Sequence, residues 1–348
     1  MIDIINAQLH DTAIHYCGNQ TNDEEIILSK SLLTVDDEKV QQMLIKFFLN
    51  SFQNVEFNRF TFSNEDHTMN IVYQYASKIF ENPNHLLNQS VNLAKHLYNV
   101  STHPQIKGGD LFTAYFTNLK LENELVEAIG IFKSENKQEF LKVDKKQGVF
   151  EVNYQDGINI NKLDKGCLIL NCNKDSGYKV CVIDNTNKAA EAQYWKNDFL
   201  MVKPCNDSFH ATKDYLDLCK NYVTKQMPND FEISKTDQID LLNRSINYFK
   251  EQDEFNLNDF SKAVIQDPQV IESFNGYKKQ YEKEHELEFN ETFDISNAAV
   301  KKQNRVFKSV LKLDKNFHIY IHGKRELIEK GVDPDGRKYY KIYFVEEN

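Results

Sequence analysis

Between Asp110 and Asp184 the apolar pattern alternates residue by residue, and this constrains the fold more than any other feature of the chain. Six short segments follow one another across polar or glycine-containing turns: DLFTAYFTNLKL, ELVEAIGIFKSE, EFLKVD, GVFEVNY, GCLILNC and YKVCVID. Alternation of this kind is the signature of strands, and successive short strands with short links predict an antiparallel sheet. Before and after this block the apolar spacing returns to the helical period. The fold class expected is therefore α+β, with strands and helices in segregated runs.

Upstream of the block, IDIINAQLH, AIHYC and EEIILSKSLL read as opening strands, and FNRFTF as another. A helix is expected from the acidic stretch after Thr34 to near Ser51, with Val40, Met43, Leu44 and Phe47 on one side. MNIVYQYASKIF reads as a helix ending at Asn82-Pro83. HLLNQSVNLAKHLYNVS follows, with Leu87, Val91, Ala94 and Tyr98 at helical spacing.

Downstream, SFHATKDYLDLCKNYVTKQM places Tyr215, Leu218 and Tyr222 beside Leu216, Cys219 and Val223. TDQIDLLNRSINYFKEQ aligns Ile239, Leu242, Ile246 and Phe249. NDFSKAVI is a short helix. Asp267-Pro268 supplies a cap and a first-turn proline for the helix through IESFNGYKKQYEKEHE. After Ser296 a short helix, NAAVKKQ, precedes three strand segments, RVFKSVLKL, FHIYIHG and RKYYKIYFV. DPDG, Asp333 to Gly336, marks a chain reversal between two strands. The 348 residues suggest two domains: an N-terminal antiparallel sheet with helices over 1–203, and a C-terminal helical bundle with a small antiparallel sheet over 204–348.

Charge divides the chain more sharply than composition does. The net charge is −10. Residues 301–348 nevertheless carry 12 Lys/Arg against 7 Asp/Glu, and the rest 30 against 45. A basic tail thus sits on an acidic body, and such asymmetry points to a binding face or to a solvated lysine-rich surface. Only five of the basic residues are Arg, so few bidentate base contacts are available and sequence-specific reading of DNA is not expected. In VFKSVLKL, Lys308 and Lys312 share a face with Val306 and Val310. In RKYYKIYF, Lys341 shares one with Tyr339 and Tyr343. Cations interleaved with aromatics resemble a nucleic-acid platform, although ordinary sheet surface has the same look.

No motif points to catalysis or a metal. GGD at Gly108–Asp110 lacks the spacing of a phosphate loop and is followed by a strand, so it reads as a turn into the central sheet. His318, Tyr320 and His322 alternate on one strand face, and two His at that separation are too far apart to hold one metal. The six cysteines form no Cys-x-x-Cys and no zinc-finger spacing, which fits a reduced, cytoplasmic protein. MIDIINAQLHDTAIHYC lacks a secretory pattern, and no apolar run is long enough to span a membrane.

Four stretches carry a resemblance. They are Ile14-His15 followed by ILSKSLL (Ile27 to Leu33), HPQIKGGDLFTAYF (His103 to Phe116), ELEFNETFDIS (Glu286 to Ser296), and the closing strands from Val306 to Phe344. In order and spacing they resemble the bacterial nucleoid-associated protein family of the YejK/NdpA type. Residues 135–200 match that pattern poorly. The resemblance implies a DNA-associated protein of the cytoplasm and nucleoid, with no catalytic residues to carry over and no cofactor. Members are similar to this chain in being acidic overall.

The expected contact set with the DNA phosphate backbone is Lys301, Lys302, Arg305, Lys308, Lys312, Lys324, Arg325, Lys338 and Lys341, neutralising phosphates from one cationic face. A homodimer fits this reading, because doubling a weak patch multiplies its contacts. A second reading is a non-catalytic scaffold whose acidic body binds a basic, DNA-associated protein. A third, with least support, is an enzyme of unrecognised type.

Overall fold

Alternation with apolar residues on both phases requires a sheet with both faces covered, and the N-terminal part of the chain, Met1–Cys205, has this arrangement. The computed structural model describes residues 2–52, 56–63, 65–121, 124–146, 148–186, 194–205, 207–285, 287–304, 307, 310–313, 315–321 and 327–346. The chain divides into two units, Met1–Cys205 and Asn206–Asn348.

In unit 1 the strands are β1 (Ile2–Asp3), β2 (Gln8–Cys17), β3 (Ile26–Ile27), β4 (Phe57–Phe60), β5 (Gly109–Leu121), β6 (Glu124–Ser134), β7 (Gln138–Lys146), β8 (Val149–Gly157), β9 (Lys165–Leu170), β10 (Lys179–Asp184) and β11 (Val202–Pro204). Among the described residues nine of them form one antiparallel sheet in the order β11-β4-β10-β9-β6-β5-β2-β3, with β1 beside β5. The helices are α1 (Glu38–Leu49), α2 (Ile71–Glu81) and α3 (Leu86–Val100). Along β5, Leu111 and Tyr115 pack with α2 and α3, while Phe112, Ala114 and Phe116 pack with α1. β9 is buried on both phases: Cys167 and Ile169 face one layer, Leu168 and Leu170 the other.

The structure confirms the α+β class and corrects four details of unit 1. β2 is one strand, and the break expected after His10 is a bulge where its register on β5 shifts between Leu9 and Asp11. Val40 and Met43 of α1 are exposed, because that helix docks by its last turn, through Phe47, Phe48 and Leu49. Phe48 lies flat on Phe132, with ring centroids 4.5 Å apart. The buried face of α3 is Leu86, Ser90, Leu93, Ala94 and Leu97, turned by about one position from the expected stripe. A polar residue explains the turn: buried Ser90 is held by a hydrogen bond with His15. Finally, among the described residues β7 and β8 pair only with each other, as a two-stranded ribbon outside the sheet.

Unit 2 contains α4 (Ser208–Asn221), α5 (Met227–Asp230), α6 (Lys235–Glu251), α7 (Leu257–Phe260), α8 (Pro268–His285) and α9 (Asn297–Asn304). A capping box, Ser234 with Asp237, starts α6, and the Asp267 carboxylate accepts from Gln269 N at 2.8 Å to start α8. The stripe expected on α4 is buried throughout. Its centre is aromatic: Tyr215, Phe249, Phe255, Phe260 and Phe293 share one cluster. Unit 2 has three two-stranded sheets among the described residues: β12 (Glu254–Asn256) with β13 (Thr292–Asp294), β14 (Val310–Leu313) with β15 (Phe317–Tyr320), and β16 (Ile328–Val332) with β17 (Lys338–Ile342). The partner of β17 across DPDG is thus the unforeseen Ile328–Val332, not FHIYIHG. Gly336 at φ 84° makes that reversal possible, since left-handed backbone costs a glycine nothing.

Candidate nucleic-acid interface

A lysine can neutralise a phosphate only if its ammonium reaches solvent and is not already held by a carboxylate. Of the nine expected contacts, Arg305, Lys308, Lys324 and Arg325 lie outside the described residues, as do Val306 and His322. The other five, Lys301, Lys302, Lys312, Lys338 and Lys341, are all exposed. Lys301 and Lys302 fall in the last turn of α9, where cations also complement the helix dipole. Lys302 lies over the Phe209 ring, 5.9 Å from its centroid.

The two carboxyl-terminal hairpins are placed by one small apolar cluster. Leu311 and Ile321, with Leu313 and Ile319, pack on Ile239 of α6, and Ile328 and Tyr340 join the same cluster. Inward placement of Leu311 and Leu313 turns Val310 and Lys312 outward by alternation. Register sets Lys312 opposite His318 and Val310 opposite Tyr320, so the outer face of this hairpin reads Lys, His, Tyr, Val. Among the described residues no ion pair forms to Lys301, Lys312 or Lys338.

The second hairpin divides its cations. Lys338 shares a face with Tyr340, whereas Lys341 shares the opposite face with Tyr339 and stands over Tyr343 at 4.8 Å. The Tyr343 hydroxyl holds the Lys341 ammonium and raises its pKa, so the group stays charged. Glu329 sits directly across from Lys341 and offsets part of that charge. The described cations therefore occupy a helix end, one face of the first hairpin and both faces of the second. Sequence reasoning missed Lys330, which is exposed and shares a face with Lys338. The signal was available: a reversal at DPDG demands a matching strand before it.

Three of the resembling stretches have structural roles. His15 is 3% exposed; its Nδ1 accepts from Ser29 N at 3.0 Å and its Nε2 meets Ser90 Oγ at 2.9 Å. Burial pushes its pKa down, which keeps it neutral. In HPQIKGGD, the carbonyls of His103 and Ile106 accept from the Asn19 amide at 2.8 and 2.7 Å. A Cβ on Gly109 would lie 2.2 Å from the Ser134 carbonyl oxygen, so glycine is required by close strand approach, as the turn reading expects. Phe289, Phe293 and Ile295 of the third stretch belong to the core of unit 2.

Unit 1 holds a second group of charges that the sequence did not reveal. Lys133 and Lys165 sit opposite each other on β6 and β9, and both are 0% exposed. Lys133 Nζ donates to the Lys107 carbonyl at 2.6 Å and pairs with Glu135 at 3.1 Å. Lys165 Nζ pairs with Asp184 at 2.8 Å and donates to Thr186 at 2.6 Å. Tyr194 bridges them, lying under both ammonium groups and donating to Glu135 at 3.1 Å. Every charge in this group has a partner within unit 1. Among the described residues no cluster of three or more His, Cys, Asp or Glu could hold a metal ion, and no helix is long and apolar enough to cross a membrane.

A family model described as nucleoid-associated protein YejK matches residues 13–337. No curated protein matches the chain.

Proposed function

This protein belongs to the nucleoid-associated protein YejK family, and from that premise we propose that it binds DNA without catalysis, through phosphate contacts made by its carboxyl-terminal lysines. The observation that carries this reading is the exposure of Lys301, Lys312 and Lys338 with no ion pair to any of them among the described residues, and Lys312 shares its hairpin face with the exposed ring of Tyr320. Lysines on short hairpins give point-charge contacts to phosphates and little base reading, so binding is weakly specific. Lys302 and Lys341 belong to the same contact set, as do Arg305, Lys308, Lys324 and Arg325. The acidic remainder of the chain limits contact to this region, because it repels the duplex elsewhere. Such a protein acts in the nucleoid, within the cytoplasm.

Fluorescence anisotropy with duplexes of unrelated sequence tests the reading. Similar affinity for each duplex is expected, together with a loss of about tenfold or more when Lys301, Lys312, Lys338 and Lys341 are changed to Glu. Unchanged affinity in that variant would remove these residues from the contact set. The excess of acidic residues outside the tail favours a second reading, a scaffold for a basic DNA-associated protein. Partners that stay bound in nuclease-treated lysate would support the scaffold.

A further inference from the structure

The β7–β8 ribbon is an excursion between β6 and β9, which are neighbours in the large sheet. Its base is clamped. Asp164 accepts from Glu135 N and Asn136 N at 2.8 Å each, and Asn159 donates to Gln138 at 3.0 Å. Beyond the base its strands pair only with one another among the described residues.

Register sorts the ribbon into two unlike faces. One face carries Phe140, Lys142 and Asp144 opposite Gln155, Asn153 and Glu151, with Val149 at the tip; its middle is polar, with the Lys142–Asp144 ion pair of 3.1 Å, and its two exposed apolar side chains, Phe140 and Val149, are separated by it. The other runs from Glu139 and Asp156 at the base, through Leu141 with Tyr154 and Val143 with Val152, to Lys145 with Phe150 at the tip. Its five apolar side chains are 61–79% exposed. They present on the order of 600 Å² of contiguous apolar surface, at the upper end for a monomer.

We propose that this face is the interface between two copies of this chain, stacked face to face about a two-fold axis with the ribbons running in opposite directions. Charge complementarity selects the second copy and its direction. In the antiparallel stack the tip Lys145 of each copy meets the base carboxylates Glu139 and Asp156 of the other, and apolar pairs meet apolar pairs. A parallel two-fold stack would set Glu139 against the second copy's Asp156 and leave both lysines at the other end, away from any carboxylate of the face. The contact is self-complementary, as a two-fold interface must be. Burying the face in both copies removes about 1,200 Å² from water, which reaches the range of specific interfaces. DNA is disfavoured as the occupant, since Glu139, Asp144, Glu151 and Asp156 outnumber the ribbon's lysines.

Sedimentation equilibrium of the full chain without DNA tests this. The wild type is expected to dimerise in the micromolar range. Leu141→Lys with Val152→Lys, at exposed positions that leave the core intact, is expected to raise the dissociation constant by about 100-fold or more. Lys145→Glu alone weakens the dimer, and adding Glu139→Lys and Asp156→Lys restores it, because swapped charges remain complementary. A wild type that stays monomeric overturns the proposal, as does a dimer that survives the double-lysine variant. So does a failure of the charge swap to rescue. A double-lysine variant with altered DNA affinity and unchanged association would assign the ribbon to DNA instead.

Discussion

Lysine meets two different fates in the two units. In unit 1, Lys133 and Lys165 are sealed between strands and committed to Glu135, Asp184 and a tyrosine. In unit 2, Lys301, Lys312 and Lys338 stand in water with no carboxylate partner among the described residues. The sheet of unit 1 is covered by helices on both faces, so any charge inside it must be paired to be tolerated. The hairpins of unit 2 are each two strands wide, and one side of each remains wet. Lysine content alone therefore says little about DNA binding. What matters is whether the fold leaves the ammonium uncommitted.

The strongest way to break this contrast is to remove a sealed lysine. Lys133→Met keeps the bulk but takes the cation away from Glu135, whose side chain is 2% exposed just past the end of β6 and keeps only neutral donors such as the Tyr194 hydroxyl. Urea unfolding is expected to show a loss of about 3 kcal/mol or more, and a loss well under that would mean the pair is not structural. A smaller effect follows from pH. His15 and His96 have pKa values lowered by burial from 6.5, so below that value the unfolded chain binds more protons than the folded one. Stability should hold above pH 6.5 and fall as pH drops toward the folded-state values. His15→Gln should flatten that fall, and an identical pH profile in the variant would count against it. The smallest effect is predicted for an uncommitted lysine: Lys312→Ala should change unfolding stability by less than about 0.5 kcal/mol.

Much of the fold is readable from the sequence. The strands between Asp110 and Asp184 and the α4 stripe are legible because alternation and helical spacing are local properties. The buried face of α3 is not, because Ser90 enters it through a hydrogen bond with His15 on a distant strand. Sequence alone assigns the ribbon to the sheet, since alternation on one phase does not say which strand lies alongside. The lysine pair in unit 1 is invisible for the same reason: Lys133 and Lys165 are far apart in the chain and adjacent only through register. The basic tail is legible as a charge excess. Its division among α9 and two hairpins is not, because opposite phases of β17 send Lys338 and Lys341 to opposite faces.

The salt dependence of DNA affinity most directly tests whether the exposed lysines meet the duplex. Plotting log affinity against log salt for the wild type, for Lys301→Gln/Lys312→Gln/Lys338→Gln/Lys341→Gln, and for an equal number of Lys→Gln changes in exposed lysines of unit 1 separates the two regions. The tail variant should have a shallower slope, by about 0.9 for each phosphate no longer neutralised, while the unit 1 variant keeps the wild-type slope. Equal slopes for the wild type and the tail variant would contradict it.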